Sequence, residues 1–372
     1  MNIEQTGQPF NRNKAFKVFF GLVALAAIGF ALYWWKYLNH YESTDNAHVA
    51  APQIQVSSQV DGTIEAVQVV ETQQVKAGDM LLKVEPTEAE IASRMADAEL
   101  LNAYRASRSS ILQAKQKKVD LARIGEDIKR RQLLKGVAAV SAEELNHLQM
   151  EYQAADDGYK EILERSDGLV DVATATRHPD VQKASAAAKQ AYVTLLRTKV
   201  LSPVDAVVAK RNAQVGQRVA PGVSLVTLVI LNDSWVDANF KEDQLRNIRL
   251  GQDVELEADI YGSKVIYTGK VVGFSPATGA NMSLLPAQNA TGNWVKVVQR
   301  LPVRIAIDPG QLQKNPLQVG LSLSARVDTS QQGGGSLAAA EKTNVTATHI
   351  YEAQSVEADQ HVRTILSQAH LH

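Results

Sequence analysis

The sequence predicts an α+β chain: a small β unit split by a long helical insertion, a small antiparallel β-barrel after it, and an apolar helix ahead of both. Three observations lead there. The stretch from Gln59 to Leu81 is echoed from Ser202 to Leu225 at a constant offset of 144, which pairs Val60 with Val204, Asp61 with Asp205, Gln73 with Gln217, Val75 with Val219, Gly78 with Gly222 and Leu81 with Leu225 without a gap. Each copy reads as short strands divided by Gly, Pro and Asp turn residues, Gly62, Gly78 and Gly222 among them. A unit this small cannot bury its apolar face alone, so the two copies are expected to close on each other. Between them, Thr87 to about Leu134 holds no proline and only Gly125, and is rich in Ala, Glu, Lys, Arg, Gln and Leu, all strong helix formers. Beyond the second copy, residues 231–330 alternate short apolar runs with turn residues, the spacing of a small antiparallel barrel.

In chain order, residues 1–17 form a polar tail that ends with Arg12, Lys14 and Lys17. Val18 to Trp35 then runs eighteen residues without a charge, close to the ~20 that span a bilayer as a helix. Residues 18–37 are therefore expected to be a transmembrane anchor. Tyr33, Trp34 and Trp35 suit the membrane interface and are too bulky for a signal-peptide cleavage site. Only Lys36 closely follows the span, so the positive charge ahead of it places the N-terminus in the cytoplasm and the bulk of the chain in the periplasm, with the anchor in the inner membrane. Residues 38–52 read as a connecting strand to the barrel, and residues 53–86 and 200–230 as the two halves of the β unit.

Residues 87–199 are expected to fold back as an antiparallel coiled-coil hairpin with its tip at 135–141, because arms this long need a partner along their length. At 1.5 Å per residue the first arm reaches roughly 70 Å. The second arm opens on Ser141 and Glu144, a capping box. Leu145, Leu148, Tyr152, Ala155, Tyr159, Ile162, Ser166, Leu169 and Ala173 follow at spacings of three and four, a coiled-coil seam. The first arm keeps the period less well, with Ile91, Met95 and Ala98 and later Leu121, Ile124 and Ile128, so its seam is partly polar. Gly168 and His178-Pro179 place a break in the second arm at 167–180. A short helix is expected at Lys241 to Arg246. After the linker at Ser330 to Ser336, residues 331–372 read as a flexible tail.

The composition excludes several classes of function. Lys plus Arg number 39 against 40 Asp plus Glu, which leaves no basic excess for a nucleic-acid groove. No cysteine is present, so there is no disulfide frame, thiolate metal site or thiol nucleophile. There is no phosphate-cradling loop, no Gly-x-Ser-x-Gly elbow and no His-Glu-x-x-His pair. The eight histidines are dispersed. No catalytic, cofactor-binding or metal-ligating residue is assigned. A paired β unit with Val-x-x-Gly turns is also how lipoyl and biotinyl carriers are built, but those need a lysine at the tip of a hairpin joining the halves. Here the helical insertion takes that place and Lys76 sits in the turn before Gly78. The β unit is lipoyl-like in pattern and a scaffold in use.

An N-terminal anchor, a lipoyl-like unit split by a helical hairpin and a following barrel resemble the plan of the HlyD-type membrane fusion proteins, or periplasmic adaptors. Three further stretches carry the resemblance: Tyr41 to Ala47, Trp235 to Glu242 (with Asn239 and Lys241) and the block from Ser283 to Arg304, which holds Asn289 and Trp294. That block is similar to the multidrug-efflux branch of the family. The resemblance implies a homo-oligomeric ring, an inner-membrane major-facilitator drug/proton antiporter as one partner and a TolC-like outer-membrane channel as the other, with no cofactor. Adaptors that dock such channels often carry Arg, Leu four residues on and Ser seven further, and Arg130, Leu134 and Ser141 keep those spacings. The alternative within the family is a type I polypeptide-secretion adaptor serving an ABC exporter. The second repeat departs from the family by carrying Asp205-Ala206 where glycine is common.

Overall fold

A computed structural model describes residues 12–33, 40–133, 141–278, 298–331 and 347–371. The chain divides into two units, residues 1–53 with 229–346, and 54–228 with 347–372.

The first unit holds helix α1 (Arg12–Tyr33) and a closed six-stranded barrel. On α1 the side chains of Phe16, Phe19, Phe20, Leu22, Leu25, Ile28 and Phe30 are all exposed. Among the described residues, no helix is long and apolar enough to cross a membrane. The barrel strands are β1 (Tyr41–Ala50), β10 (Trp235–Lys241), β11 (Asp253–Ala258), β12 (Ile266–Phe274), β13 (Arg300–Ile307) and β14 (Ser322–Asp328), in the order β1-β10-β13-β12-β11-β14. Alternation sorts their residues most cleanly in β11, where Val254, Leu256 and Ala258 point inward while Asp253, Glu255 and Glu257 face solvent. Phe240 and Tyr267 fill the centre, both fully buried. The Tyr267 hydroxyl donates to the Asn315 carbonyl at 3.1 Å, and burial, then Tyr261, push its pKa above the usual value. Helix α5 (Pro309–Lys314), capped by Asp308, adds Leu312 to this core.

Segment 38–52 is more than a connector. Its strand β1 pairs with β10 on one side and β14 on the other, with a bulge between Thr44 and Ala47. Without it the barrel would keep two open edges, and closure is what removes them. Its inward residues include Thr44 and Ala47, too small and polar to announce a barrel strand. The expected helix at 241–246 is a single 3-10 turn, Gln244–Arg246.

The second unit begins with two four-stranded sheets built from β2 (Gln53–Ser57), β3 (Gly62–Val67), β4 (Gln74–Val75), β5 (Met80–Val84), β6 (Lys199–Leu201), β7 (Ala206–Arg211), β8 (Arg218–Val219) and β9 (Ser224–Val229). Their orders are β2-β9-β7-β4 and β6-β5-β3-β8. Each sheet therefore mixes strands of both sequence copies, and neither copy forms a sheet by itself.

The joins are reciprocal. Gly78 N donates to Ser202 O at 2.9 Å and Ser202 N to Asp79 O at 2.8 Å; 144 residues on, Gly222 N donates to Ser58 O at 2.8 Å, and Ser58 N to Val223 O at 3.0 Å. Thr72 N to Val208 O and Val208 N to Gln73 O are matched by Gly216 N to Ile64 O and Ile64 N to Gln217 O.

Thr72 sits at φ 71° where its counterpart Gly216 sits at φ 82°. The left-handed region costs a β-branched residue roughly 1–2 kcal/mol, of which the flexibility of glycine returns part. Thr72→Gly is expected to stabilise this unit by about 0.5–1 kcal/mol in urea denaturation; a lower midpoint would contradict the reading.

Between the copies run α2 (Thr87–Leu133), α3 (Ala142–Arg165) and α4 (Pro179–Leu196). The second arm breaks after Ser166. Asp167 and Gly168 take φ values of 53° and 74°, a 3-10 segment spans Val172–Arg177, and α4 restarts with Pro179 at its first turn, where its missing N–H costs nothing. His178 secures the restart: its Nδ1 accepts from Asp180 N at 3.3 Å, and its Nε2 lies 3.3 Å from Arg165 O.

Two expectations are corrected here. Ile91, Met95 and Ala98 lie on the solvent side of α2, and its buried seam is Ser93, Leu100, Tyr104, Ser107, Ile111, Ala114 and Ile124. Small Ser107 lets the arms close, donating to Ala175 O at 3.3 Å. The segment 331–372 does not end as a flexible tail: Ile350–Leu371 form helix α6, packed on α2 and α4. Val362 is buried with Leu100, Tyr104, Ile111, Val181 and Ala188, with Ile365, Leu366 and Ala369 partly buried beside them. The long arms thus have a third partner at one end, which is why a partly polar two-helix seam is sufficient there. Polar contacts flank this core. Lys189 Nζ lies 2.7 Å from Asp359 Oδ1, and His361 stacks on Tyr192 at 4.0 Å with its Nε2 3.0 Å from Asp97 Oδ2. Burial, followed by Glu357, pushes the Tyr192 hydroxyl above its usual pKa.

Candidate functional site

Three groups of residues were singled out by sequence, and the structure places each on a different framework. On the barrel, the blocks Tyr41 to Ala47 and Trp235 to Glu242 lie on adjacent strands although almost two hundred residues separate them. Asn239 Nδ2 donates to Asn46 Oδ1 at 3.1 Å, and Thr44 Oγ1 donates to Asn239 O at 2.9 Å. Gln244 brackets the turn: its Oε1 accepts from Lys241 N at 3.0 Å, while its Nε2 donates to Ser43 O at 3.0 Å. Glu242 N donates to Gln299 O at 3.2 Å. Trp235 Nε1 donates to Asp237 Oδ2 at 2.9 Å, and the Arg304 guanidinium lies 4.1 Å from the Trp235 ring centroid, within cation–π range. The two blocks are one joined surface. Asn289 and Trp294 lie outside the described residues.

Sequence reasoning passed over Asn46, Gln244 and Asn247 in this surface; Asn247 Nδ2 donates to Glu42 Oε1 at 3.0 Å. Their signal was only that each sits inside or next to a motif.

In the β hub, Gly78 and Gly222 hold φ values of 92° and 90°, and a Cβ on Gly62 would stand 2.5 Å from Val84 Cγ1. Gly62 is thus required by close approach, and the other two by backbone conformation. Asp205, the departure from the family pattern, accepts a bond from Ala77 N at 2.8 Å. The symmetric bond cannot form, because position 221 is proline and has no N–H; Asp61 instead lies 3.4 Å from Arg218 Nη2. Lys76 gives its backbone N–H to Asp79 Oδ2 at 2.7 Å, so it belongs to a structural turn.

At the end of the hairpin, Arg130 is exposed on the last turn of α2 and pairs with Asp127 at 3.3 Å. Ser141 is the N-cap of α3, its Oγ accepting from Glu144 N at 3.1 Å. Glu144 does not complete the capping box; its carboxylate pairs across the hairpin with Arg131. An open groove of about 410 Å³ lies beside these groups, lined by Arg131, Ser141, Glu143, Glu144, His147 and Leu148. Leu133 is 86% exposed. Leu134 lies outside the described residues. No group of three or more His, Cys, Asp or Glu among the described residues could hold a metal ion.

Interleaved sheets divided by a helical hairpin, in a chain that also carries a six-stranded barrel, define a membrane fusion protein. Residues 52–231 match the family model described as "RND MFP, barrel-sandwich hybrid domain". A solved structure of MacA from Actinobacillus actinomycetemcomitans matches with a TM-score of 0.50 and 19% identity, over 77% of this chain and 80% of that one, a likeness of fold. Multidrug export protein EmrA of Escherichia coli (strain K12) is 39% identical over 322 residues, covering 84% of this chain and 83% of the relative. Fatty acid resistance protein FarA of Neisseria gonorrhoeae is 42% identical over 301 residues, 78% of this chain and 76% of the relative. The chain belongs to the EmrA family of membrane fusion proteins, which are adaptors of multidrug efflux and not enzymes.

Proposed function

We propose that this chain is the periplasmic adaptor of a tripartite multidrug efflux pump, joining an inner-membrane major-facilitator drug/proton antiporter of the EmrB type to a TolC-like outer-membrane channel. The observation that carries the reading is the long hairpin set on a β hub whose turns are spent on geometry, in a chain of the EmrA family. Residues 18–37 anchor it in the inner membrane with the N-terminus in the cytoplasm. The uncharged run and the exposed apolar side chains of α1 support this. Copies assemble as a ring, and the outward apolar residues Ile91, Met95, Leu112 and Val119 of α2 offer a face for neighbouring hairpins. Proton coupling belongs to the transporter; hydrophobic or uncoupler-like toxic compounds are the cargo.

Arg130, Leu134 and Ser141 form the docking tip. Arg130 presents a charge with one weak surface partner, and Ser141 keeps its hydroxyl proton for a channel acceptor while its oxygen caps α3. Leu134 supplies the apolar knob. Leu134→Asp is expected to return drug resistance to the level of cells lacking the gene, with protein level and co-purification of the transporter unchanged. Undiminished resistance in that variant would refute the docking role.

A further inference from the structure

Arg197, the residue that ends α4, lines a cleft of about 110 Å³ between β2, β6 and the first turn of α6. Its Nε is buried without a hydrogen-bond partner among the described residues. Lys199 is the second cation of the lining, and no carboxylate among the described residues lines it. The walls are otherwise apolar or neutral: Ile54, Leu201, Tyr351 and Gln354 are representative. Both β2 and β6 are outer strands of their sheets, so the cleft opens between two strand edges that no further strand covers.

Elsewhere in this unit Lys83 pairs with Glu65, Lys189 with Asp359 and Arg165 with Glu161. Two cations on a cleft of mixed apolar and neutral polar lining, with no acid among the described residues that line it, are the inverse of those pairs. A buried donor without an acceptor is destabilising, and a guanidinium presents its N–H groups in a fork that fits a carboxylate. The volume is close to that of an engineered apolar cavity of about 150 Å³ that holds benzene. It accommodates a charged head and a few carbons, with the remainder of a chain leaving through the open mouth.

We propose that this cleft binds an organic monoanion with an apolar tail, its carboxylate paired with Arg197 and Lys199 and its first methylenes against Ile54 and Leu201. Because Tyr351 and Gln354 belong to α6, the ligand bridges the β hub and the C-terminal helix, so its binding also holds α6 in place. The site stands on the cleft alone and does not depend on docking at the hairpin tip.

The test is calorimetric titration of the full-length, detergent-solubilised protein with decanoate, with decanol as the neutral probe of equal length. Saturable decanoate binding is expected, with decanol at least tenfold weaker, and Arg197→Gln is expected to weaken decanoate by roughly 10- to 150-fold. Lys199→Gln, at an exposed position, should weaken it several-fold, and covers the case in which the Arg197 variant fails to fold. Hydrogen exchange should show decanoate protecting residues 350–358 in the parent protein but not in Arg197→Gln. Equal affinity for decanol, absence of saturable binding, or unchanged affinity in Lys199→Gln would each overturn the proposal.

Discussion

Gly269→Val is expected to unfold the barrel. Gly269 lies in the middle of β12, paired with Ile307 of β13 and Val254 of β11. A Cβ built there would stand 2.5 Å from the Ala306 carbonyl oxygen and 2.8 Å from Ile305 Cγ2. The side chain could move, but the carbonyl is part of the neighbouring strand and cannot retreat without parting the ladder that closes the barrel. Overpacking a core costs about 1–3 kcal/mol where side chains can adjust, and here a backbone atom blocks a branched residue, so a loss of about 3 kcal/mol or more is expected. Near-ultraviolet circular dichroism in urea would show it as a lower midpoint for the barrel, with the helical far-ultraviolet signal retained. An unchanged midpoint would mean that the β12–β13 register assigned here is wrong.

Val362→Asp is expected to release α6 from the hairpin. Val362 is 9% exposed and faces the core made by Leu100, Tyr104 and Ile111. Placing a carboxylate there without a partner costs several kcal/mol, more than the flanking polar contacts can offset. The Lys189–Asp359 pair has side chains that are 36% and 48% exposed, and exposed pairs contribute about 0–1 kcal/mol. Hydrogen exchange in residues 350–371 should accelerate by about 100-fold or more in Val362→Asp, and by no more than about fivefold in Lys189→Ala. If Val362→Asp left α6 protected, apolar packing would not be what holds it.

The exposed face of α2 shows where reading a sequence stops. Ile91 and Met95 are larger apolar residues than the buried Ser93 and Ser107, and they form a stripe of equally good period. Periodicity tells that a helix has faces; the partner decides which face is covered. In this chain that decision involves α4, Ala175 and α6, which all lie far downstream of α2's seam: Ala175 is 68 residues beyond Ser107, which bonds to it. The same holds for β1. Its buried residues Thr44, Ala47 and Val49 are interrupted by a bulge, and nothing local says that β10 and β14 will flank it.

What the sequence by itself determined are the features written in neighbouring residues or in a self-comparison. The offset of 144 could be read directly, and the reciprocal bonds of the hub obey it because equal sequences impose equal turns. The long α2, the Ser141 cap and the interruption around Gly168 and Pro179 follow from propensity and capping. Tertiary structure alone decided that each hub sheet mixes strands of both copies, that two distant motifs meet across β1 and β10, that Arg197 has no acid partner among the described residues, and that the C-terminal segment docks as a helix. These depend on long-range pairing and on the need to close edges and cover apolar faces, and that need is met by whatever distant segment supplies the complementary surface.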